Sequence, residues 1–200
     1  METTVKAKGR PRAFDTDEAL ERALHLFWRQ GYEGTSMADL TEAMGISSPS
    51  LYAAFGNKEA LFRQALDRYV SLHACFLEQA LAAPTARETA AAILERSVEF
   101  MTRRGQPRGC LTVQGGITGG EAAEPIKRAL TLCRHETEVA LRKRFERAVA
   151  EGDLPADADP AALACYLMTI NQGLSVQAVS GASRAELAKV AEIALRAWSV

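Results

Sequence analysis

Between Thr35 and Glu59 the chain reads TSMADLTEAMGISSPSLYAAFGNKE, and helix-ending signals recur there at short intervals. Thr35 or Ser36 supplies an N-cap hydroxyl, and Gly45 stops the helix that follows. Ser47 opens a second helix with Pro49 in its first turn, where a missing N–H costs nothing. Gly56 closes that helix, and Asn57 caps the next. The spacing predicts two short helices joined by a tight turn. Helices this short gain stability only by burying an apolar face against other helices. Leu40, Met44, Ile46 and Leu51 provide that face, so the first helix braces the second in a helix-turn-helix arrangement.

The rest of the chain is read as helix too. No segment alternates with period two, as a half-buried strand would. Asp15 with Glu18 has the spacing of a capping box, followed by Leu20, Leu24, Phe27 and Trp28 at helical intervals up to Gly31. From Asn57 a long helix carries Leu61, Phe62, Leu66, Tyr69, Val70, Phe76 and Leu77 towards Pro84. Thr85 with Glu88 opens a fifth helix, through Ile93, Leu94, Val98 and Met101. Residues 105–120 hold six glycines and a proline, which argues against regular helix there. A long helix is expected from Glu124 to Glu151, another from Asp159-Pro160, and a last from Ser183 with Glu186. The expected fold class is all-α. A basic arm occupies residues 1–12, a three-helix unit residues 13–56, and a larger helical bundle residues 57–200.

Composition excludes several classes. Charged residues make up 24% and hydrophobic ones 48%, a globular balance that argues against disorder. No apolar run of about 18 residues exists, so no membrane span is expected. The first residues lack an apolar signal core, and the four cysteines form no C-x-x-C pair. A reducing cytoplasm is the expected location, with no metal and no cofactor.

The net charge of −1 conceals an arm carrying Lys6, Lys8, Arg10 and Arg12 against Glu2 alone. Such an arm suits a polyanion; the alternative is a solubilising tail. The expected partner is double-stranded DNA. The second short helix would present its first turn to a groove. Ser47, Ser48 and Ser50 are small enough for close approach, and Tyr52 and Lys58 offer a phenol and an ammonium to phosphates. Ser47 as a mere cap and Tyr52 as core are the structural alternatives.

This segment resembles the DNA-binding domain of the TetR/AcrR family of bacterial transcriptional regulators. The likeness runs from Gly9-Arg10-Pro11-Arg12 through Ala23, Phe27, Gly31-Tyr32, Thr35-Ser36, Gly45-Ile46-Ser47, Leu51-Tyr52 and Phe55 to Asn57-Lys58-Glu59 and Leu61. The resemblance implies that Thr35 and Ser36 cap the bracing helix at a phosphate. It places Ser47, Ser48 and Ser50 on the recognition helix, gives Tyr52 and Lys58 phosphate contacts, and puts Arg10 and Arg12 in an arm that reaches the minor groove. The recognition helix, SSPSLYAAFG, departs from the pattern: it lacks the Lys, Arg, Asn and Gln that read bases bidentately, and Ala54 stands where the family often has His. Residues 1–58 hold seven Lys and Arg against eight Asp and Glu, so affinity leans on the arm and on positioned helix ends.

The family's second region binds a small-molecule effector. Phe76, Phe100, Met101, Tyr166, Met168 and Gln172 are candidate linings of a largely apolar pocket, with ordinary core as the alternative for each. Arg108-Gly-Cys-Leu-Thr-Val113 is similar to a segment in the electrophile-responsive, N-ethylmaleimide-repressor-like subset, where the matching cysteine is the reactive thiol. Arg103, Arg104, Arg108 and a helix start after Gly109 would favour thiolate at Cys110. The alternative is a buried structural thiol; Cys75, Cys133 and Cys165 are expected in the core. Gly115-Gly116-Ile-Thr-Gly119-Gly120 is either a surface loop or a compliant joint.

The last two helices have wide apolar faces. Leu163, Tyr166, Leu167, Ile170 and Leu174 lie on one; Leu187, Val190, Ile193, Ala194 and Trp198 lie on the other. The resemblance implies a homodimer built on Leu163, Leu167, Ile170, Leu174, Leu187, Val190, Ala194 and Trp198, with internal core as the alternative for half of each face. The expected function is a sequence-specific regulator, a repressor released from a near-palindromic operator by a small apolar or electrophilic effector. A redox switch through Cys110 and a helical adaptor that binds no DNA are the alternatives. An enzyme with Cys110 as nucleophile needs a base, and His25, His73 and His135 form no recognisable dyad with it.

Overall fold

The computed structural model describes residues 14–114 and 123–197. Nine α-helices make up most of them: α1 Thr16–Gln30, α2 Met37–Met44, α3 Ser48–Phe55, α4 Lys58–Leu81, α5 Ala86–Met101, α6 Leu111–Gln114, α7 Glu124–Glu151, α8 Pro160–Val179 and α9 Arg184–Ala197. Arg10, Arg12, Trp198 and the glycine-rich 115–120 segment lie outside the described residues.

The expected caps are in place, because each satisfies N–H groups that a helix start leaves without partners. Asp15 accepts from the N–H groups of Asp17 and Glu18, Ser47 from Ser50, and Asn57 from Ala60. Ser36 with Asp39 and Thr85 with Glu88 form reciprocal boxes. Asp15 and Glu18 do not, because the Glu18 carboxylate pairs with Arg22. Gly45 turns the chain at φ 67°, a left-handed conformation that glycine adopts without a Cβ clash. The loop before α7 is not wholly irregular, since Leu111–Gln114 closes one helical turn on the Cys110 carbonyl.

Two cores form, and they divide partway along α4. The first holds Leu24, Phe27 and Trp28 of α1, Leu40 and Met44 of α2, and Leu51 and Phe55 of α3. It also holds Leu61, Phe62, Leu66 and Tyr69 of α4, with Leu111, Ile126 and Leu130. The second is built from Ala80 onward and from α5, α7, α8 and α9. At about 1.5 Å per residue the 24-residue α4 runs about 36 Å, and it belongs to both. At its far end buried Arg144 donates to the carbonyls of Ala83 and Pro84, at 2.9 and 3.1 Å.

Several expectations are corrected. Cys75 and Cys165 are exposed and are not core, because each lies on the outward side of an amphipathic helix. Leu167, Leu174, Leu187 and Ala194 are buried in this chain's own second core, so they are not free to form an interface. Val190 and Ile193 of α9 are exposed, as are Val176 and Val179 of α8, which the sequence did not single out. No helix among the described residues is long and apolar enough to cross a membrane.

Candidate DNA interface and effector cavity

The outward surface of α3 carries Ser48, Pro49, Tyr52 and Ala53, with Leu51 and Phe55 turned inward. Tyr52 is its largest exposed side chain, at 53%. Ser47 and Ser50 share a hydroxyl–hydroxyl hydrogen bond of 2.9 Å, so their hydroxyls are oriented before any contact. Ser36 is exposed at the start of α2, and hydrogen bonds from its backbone N–H and hydroxyl hold the Asp39 carboxyl below its ordinary pKa. Thr35 departs from expectation: it is buried, and its hydroxyl donates to the Gly31 carbonyl at 2.7 Å, locking the α1–α2 connection. Lys58 is half-buried, with its ammonium 4.4 Å from the Tyr32 ring centroid. That burial lowers its pKa, while Glu33 and Asp39 oppose the shift.

A cavity of about 410 Å³ opens among α4, α5, α7, α8 and the loop before α6. Phe76, Phe100, Met101, Met168 and Cys110 line it, and all five also belong to the second core or pack against it. Tyr166 and Gln172 do not line the cavity. Met168 and Asn171 set the cavity side of α8; Tyr166 lies about 200° of helical rotation from Met168, and Gln172 about 100° from Asn171. Tyr69, His73, Arg96, Gln106, Cys133 and Asn171 also line the cavity. From sequence, Tyr69 falls in an apolar stripe, Cys133 is expected in the core and His73 is considered only as a base for Cys110; Arg96, Gln106 and Asn171 carry no expectation. His73 follows Tyr69 by one turn, the one available signal that both share a face.

Cys110 sits where this cavity meets the first core. Its N–H donates to Ser175 Oγ at 2.8 Å, and its Sγ lies 3.1 Å from Thr112 Oγ1. The Tyr69 hydroxyl donates to Cys110 Sγ at 3.2 Å and accepts the Leu111 N–H at 3.3 Å. Burial, then the adjacent Cys110, holds the Tyr69 phenol well above its ordinary pKa, so it stays protonated as a donor. The Tyr69 ring meets Trp28 of α1 edge-on at 4.9 Å, and Trp28 stacks on Phe100 at 5.1 Å. A continuous aromatic contact thus joins the cavity wall to α1. Arg108 is turned away from the thiol, donating to the Ala178 and Ala182 carbonyls near the end of α8.

Comparison with known proteins follows the same division. The family description "Bacterial regulatory proteins, tetR family" matches residues 19–65, and "Tetracyclin repressor-like, C-terminal domain" matches residues 86–194. The HTH-type transcriptional repressor ComR of Escherichia coli (strain K12) is 38% identical over 195 residues, covering 96% of this chain and 93% of ComR. A cysteine mutant of the TetR family transcriptional regulator CifR, solved with 26 bp double-strand operator DNA, is 49% identical. Its TM-score is 0.91, over 95% of this chain and 100% of that one. The reduced form of E. coli NemR shares the fold, with a TM-score of 0.71 at 20% identity, covering 90% or so of each chain (89% of this one and 93% of that one). These matches span both cores and the helix between them: the chain belongs to the TetR family of bacterial transcriptional regulators.

Proposed function

We propose that this protein is a repressor that grips double-stranded operator DNA through α3 and releases it when its cavity is occupied or Cys110 is modified. The observation that carries this reading is the Tyr69 hydroxyl, bonded to the Cys110 thiol on one side while its ring packs on Trp28 of the DNA-binding core. The repressor name of ComR and the operator complex of CifR support the DNA-binding half.

DNA contact falls to Ser36, Ser47, Ser48, Ser50, Tyr52 and Lys58, with Arg10 and Arg12 of the arm. Thr35 serves them by bracing α2. The exposed Val176 and Val179 of α8 and Val190 and Ile193 of α9 form the face that pairs two copies. A two-fold dimer then offers two recognition helices to successive major grooves of a near-palindrome. The protein works in the cytoplasm, where its operator lies.

The effector is small and either apolar or electrophilic, as in the N-ethylmaleimide-repressor-like subset. With a maleimide, the Cys110 sulfur forms an S–C bond to the ring alkene and the thiol proton ends on the neighbouring carbon. The added bulk occupies the space beside the Tyr69 hydroxyl. Tyr69 and α4 then shift against Trp28, and the two recognition helices change separation. Only a difference in stability between the two packings moves that equilibrium; 100-fold release requires about 2.7 kcal/mol of coupling.

The test is fluorescence anisotropy with DNA from the protein's own upstream region at fixed salt, before and after N-ethylmaleimide. Release by wild type and retention by Cys110→Ser is the expected result. Equal retention by both removes Cys110 as sensor and leaves a non-covalent effector. No binding to any duplex overturns the repressor reading.

A further inference from the structure

The effector cavity has an arginine-rich edge that its apolar walls and Cys110 leave unused. The whole chain has a net charge of −1. Its cavity has the opposite balance: Arg96, Arg103 and Arg134 line it, against Glu136 as the one carboxylate among the described lining residues. Glu136 is shared with the outer groove between α4 and α7, which Asp67 also lines.

Arg96 is the best placed of the three. Its guanidinium carbon lies 5.7 Å from the centroid of the Phe76 ring, part of the cavity wall. Burial first, and the Arg96 charge after it, lower the pKa of His73, whose ring meets Phe100 at 4.2 Å. The Arg96 charge is therefore felt where His73, Phe76 and Phe100 line the cavity. Its Nη1 donates to Glu99 at 2.8 Å, while Nε and Nη2 have no hydrogen-bond partner among the described residues. The side chain is 50% exposed, so that edge is open to a ligand. Arg103 is exposed about two turns further on, just past the end of α5, and pairs with no carboxylate among the described residues. Arg134 is engaged by the Thr112 carbonyl and the Thr131 hydroxyl.

This arrangement narrows the head group. A free Nε–Nη2 edge matches the two oxygens of a carboxylate. Glu99 already shares Arg96, which favours a monoanion over a phosphate dianion. An ammonium head meets like charge, and a neutral head gains little from it. Phe76, Phe100 and Met168 accept an apolar body beside the charge.

We infer that the cavity recognises a monocarboxylate with a compact apolar body, its carboxylate held by the Nε–Nη2 edge of Arg96 and reinforced by the charge of Arg103. This rests on the reading of the cavity as the effector site and adds an anionic head to the apolar body.

The test is isothermal titration calorimetry on the full chain without DNA, using 4-propylbenzoate, 4-propylbenzamide and 4-propylbenzylamine. The apolar bodies match and only the head differs. Wild type is expected to bind the benzoate about ten-fold tighter than the amide at low salt, with the ratio falling at high salt. Arg96→Gln and Arg103→Gln, checked for folding by thermal melts, are expected to shrink that ratio while amide binding persists. Glu99→Gln frees Nη1 and is expected to tighten benzoate binding alone. Amide binding equal to or tighter than benzoate binding by wild type overturns the inference. So do an unchanged ratio in Arg96→Gln, tighter binding of the amine, and failure of all three to bind. The wild-type comparison stands even if a variant does not fold. Operator release by the benzoate is measured separately by anisotropy: discrimination in calorimetry without release upholds the head-group chemistry and counts against the cavity's control of DNA.

Discussion

The phenol of Tyr69 donates to the thiol of Cys110 across 3.2 Å, from a side chain only 1% exposed. The same oxygen accepts the Leu111 N–H, so one atom ties α4 to the start of α6. α6 packs in turn on α1, α7 and α8. The DNA-binding core and the cavity therefore share one polar junction, surrounded by aromatic rings.

Removing that oxygen while keeping the ring isolates its contribution. Tyr69→Phe preserves the edge contact with Trp28 but leaves the Leu111 N–H without its buried acceptor. A loss of about 1–3 kcal/mol is expected, read as a lower urea midpoint at unchanged m-value. An unchanged midpoint would show that the junction adds nothing to stability.

Gly109 places the Cys110 loop against α8. Its φ is +80°, and an added Cβ would meet Gln114 Nε2, with Val179 Cγ2 at 2.6 Å and the Ser175 carbonyl at 3.1 Å. Gly109→Ala is expected to cost about 2–5 kcal/mol, from left-handed backbone strain plus overpacking. Gly105 has φ +82° but open space around a Cβ, so Gly105→Ala should cost about 1–2 kcal/mol. Equal thermal midpoints for the two variants would contradict the close approach at Gly109.

His73 meets Tyr69 at 4.5 Å and Phe100 at 4.2 Å between ring centroids. Burial first, with Arg96 adding to it and the Leu72 backbone opposing it, lowers its pKa below the ordinary 6.5. The unfolded chain therefore takes up the proton at higher pH than the folded one. The stability associated with neutral His73 is full above pH 6.5 and is lost as pH falls from there through the folded value. Urea unfolding between pH 7.5 and about 5 should show a smaller fall for His73→Phe than for wild type; parallel curves would remove His73 from the pH response.

The proposed DNA contacts of the arm imply that it contributes to the salt dependence of binding. Each phosphate contact contributes about 0.9 to the slope of log affinity against log salt. Deleting residues 1–12 removes Lys6, Lys8, Arg10 and Arg12, and the slope should become shallower. An identical slope for the truncated protein would assign those charges to solubility.

The helices were legible because their ends are written in single residues. Ser36, Ser47, Asn57, Thr85 and Asp159 cap where hydroxyl, amide and carboxylate caps are expected, and Gly31, Gly45 and Gly56 end helices. Phe76, Phe100, Met101 and Met168 were legible as inward-facing from their apolar character, but not as cavity wall rather than core, since they serve both. Asn171, Gln106 and His73 were not, because a polar residue in a helical pattern reads as solvent-facing until its neighbours are known. The interface was misread in part for a related reason: Leu167 and Leu174 share the apolar pattern of α8, but periodicity does not separate a face turned to this chain's core from one turned to a second copy. Thr35 looked like a surface cap, and only the fold shows its hydroxyl spent on Gly31.

The proposed coupling carries the state of Cys110 to the DNA-binding helices through Tyr69. It is tested by a double-mutant cycle of operator affinity for wild type, Cys110→Ser, Tyr69→Phe and the double variant, each with and without N-ethylmaleimide. Exposed Cys75 and Cys165 are alkylated in all four proteins, so Cys110→Ser carries their effect as a baseline. Alkylated wild type is expected to bind operator roughly 100-fold more weakly, by about 2.7 kcal/mol. Cys110→Ser should change little, and Tyr69→Phe should lose most of the response although mass spectrometry shows Cys110 fully modified. Undiminished operator affinity in wild type with Cys110 fully alkylated, or a full response in Tyr69→Phe, would contradict it.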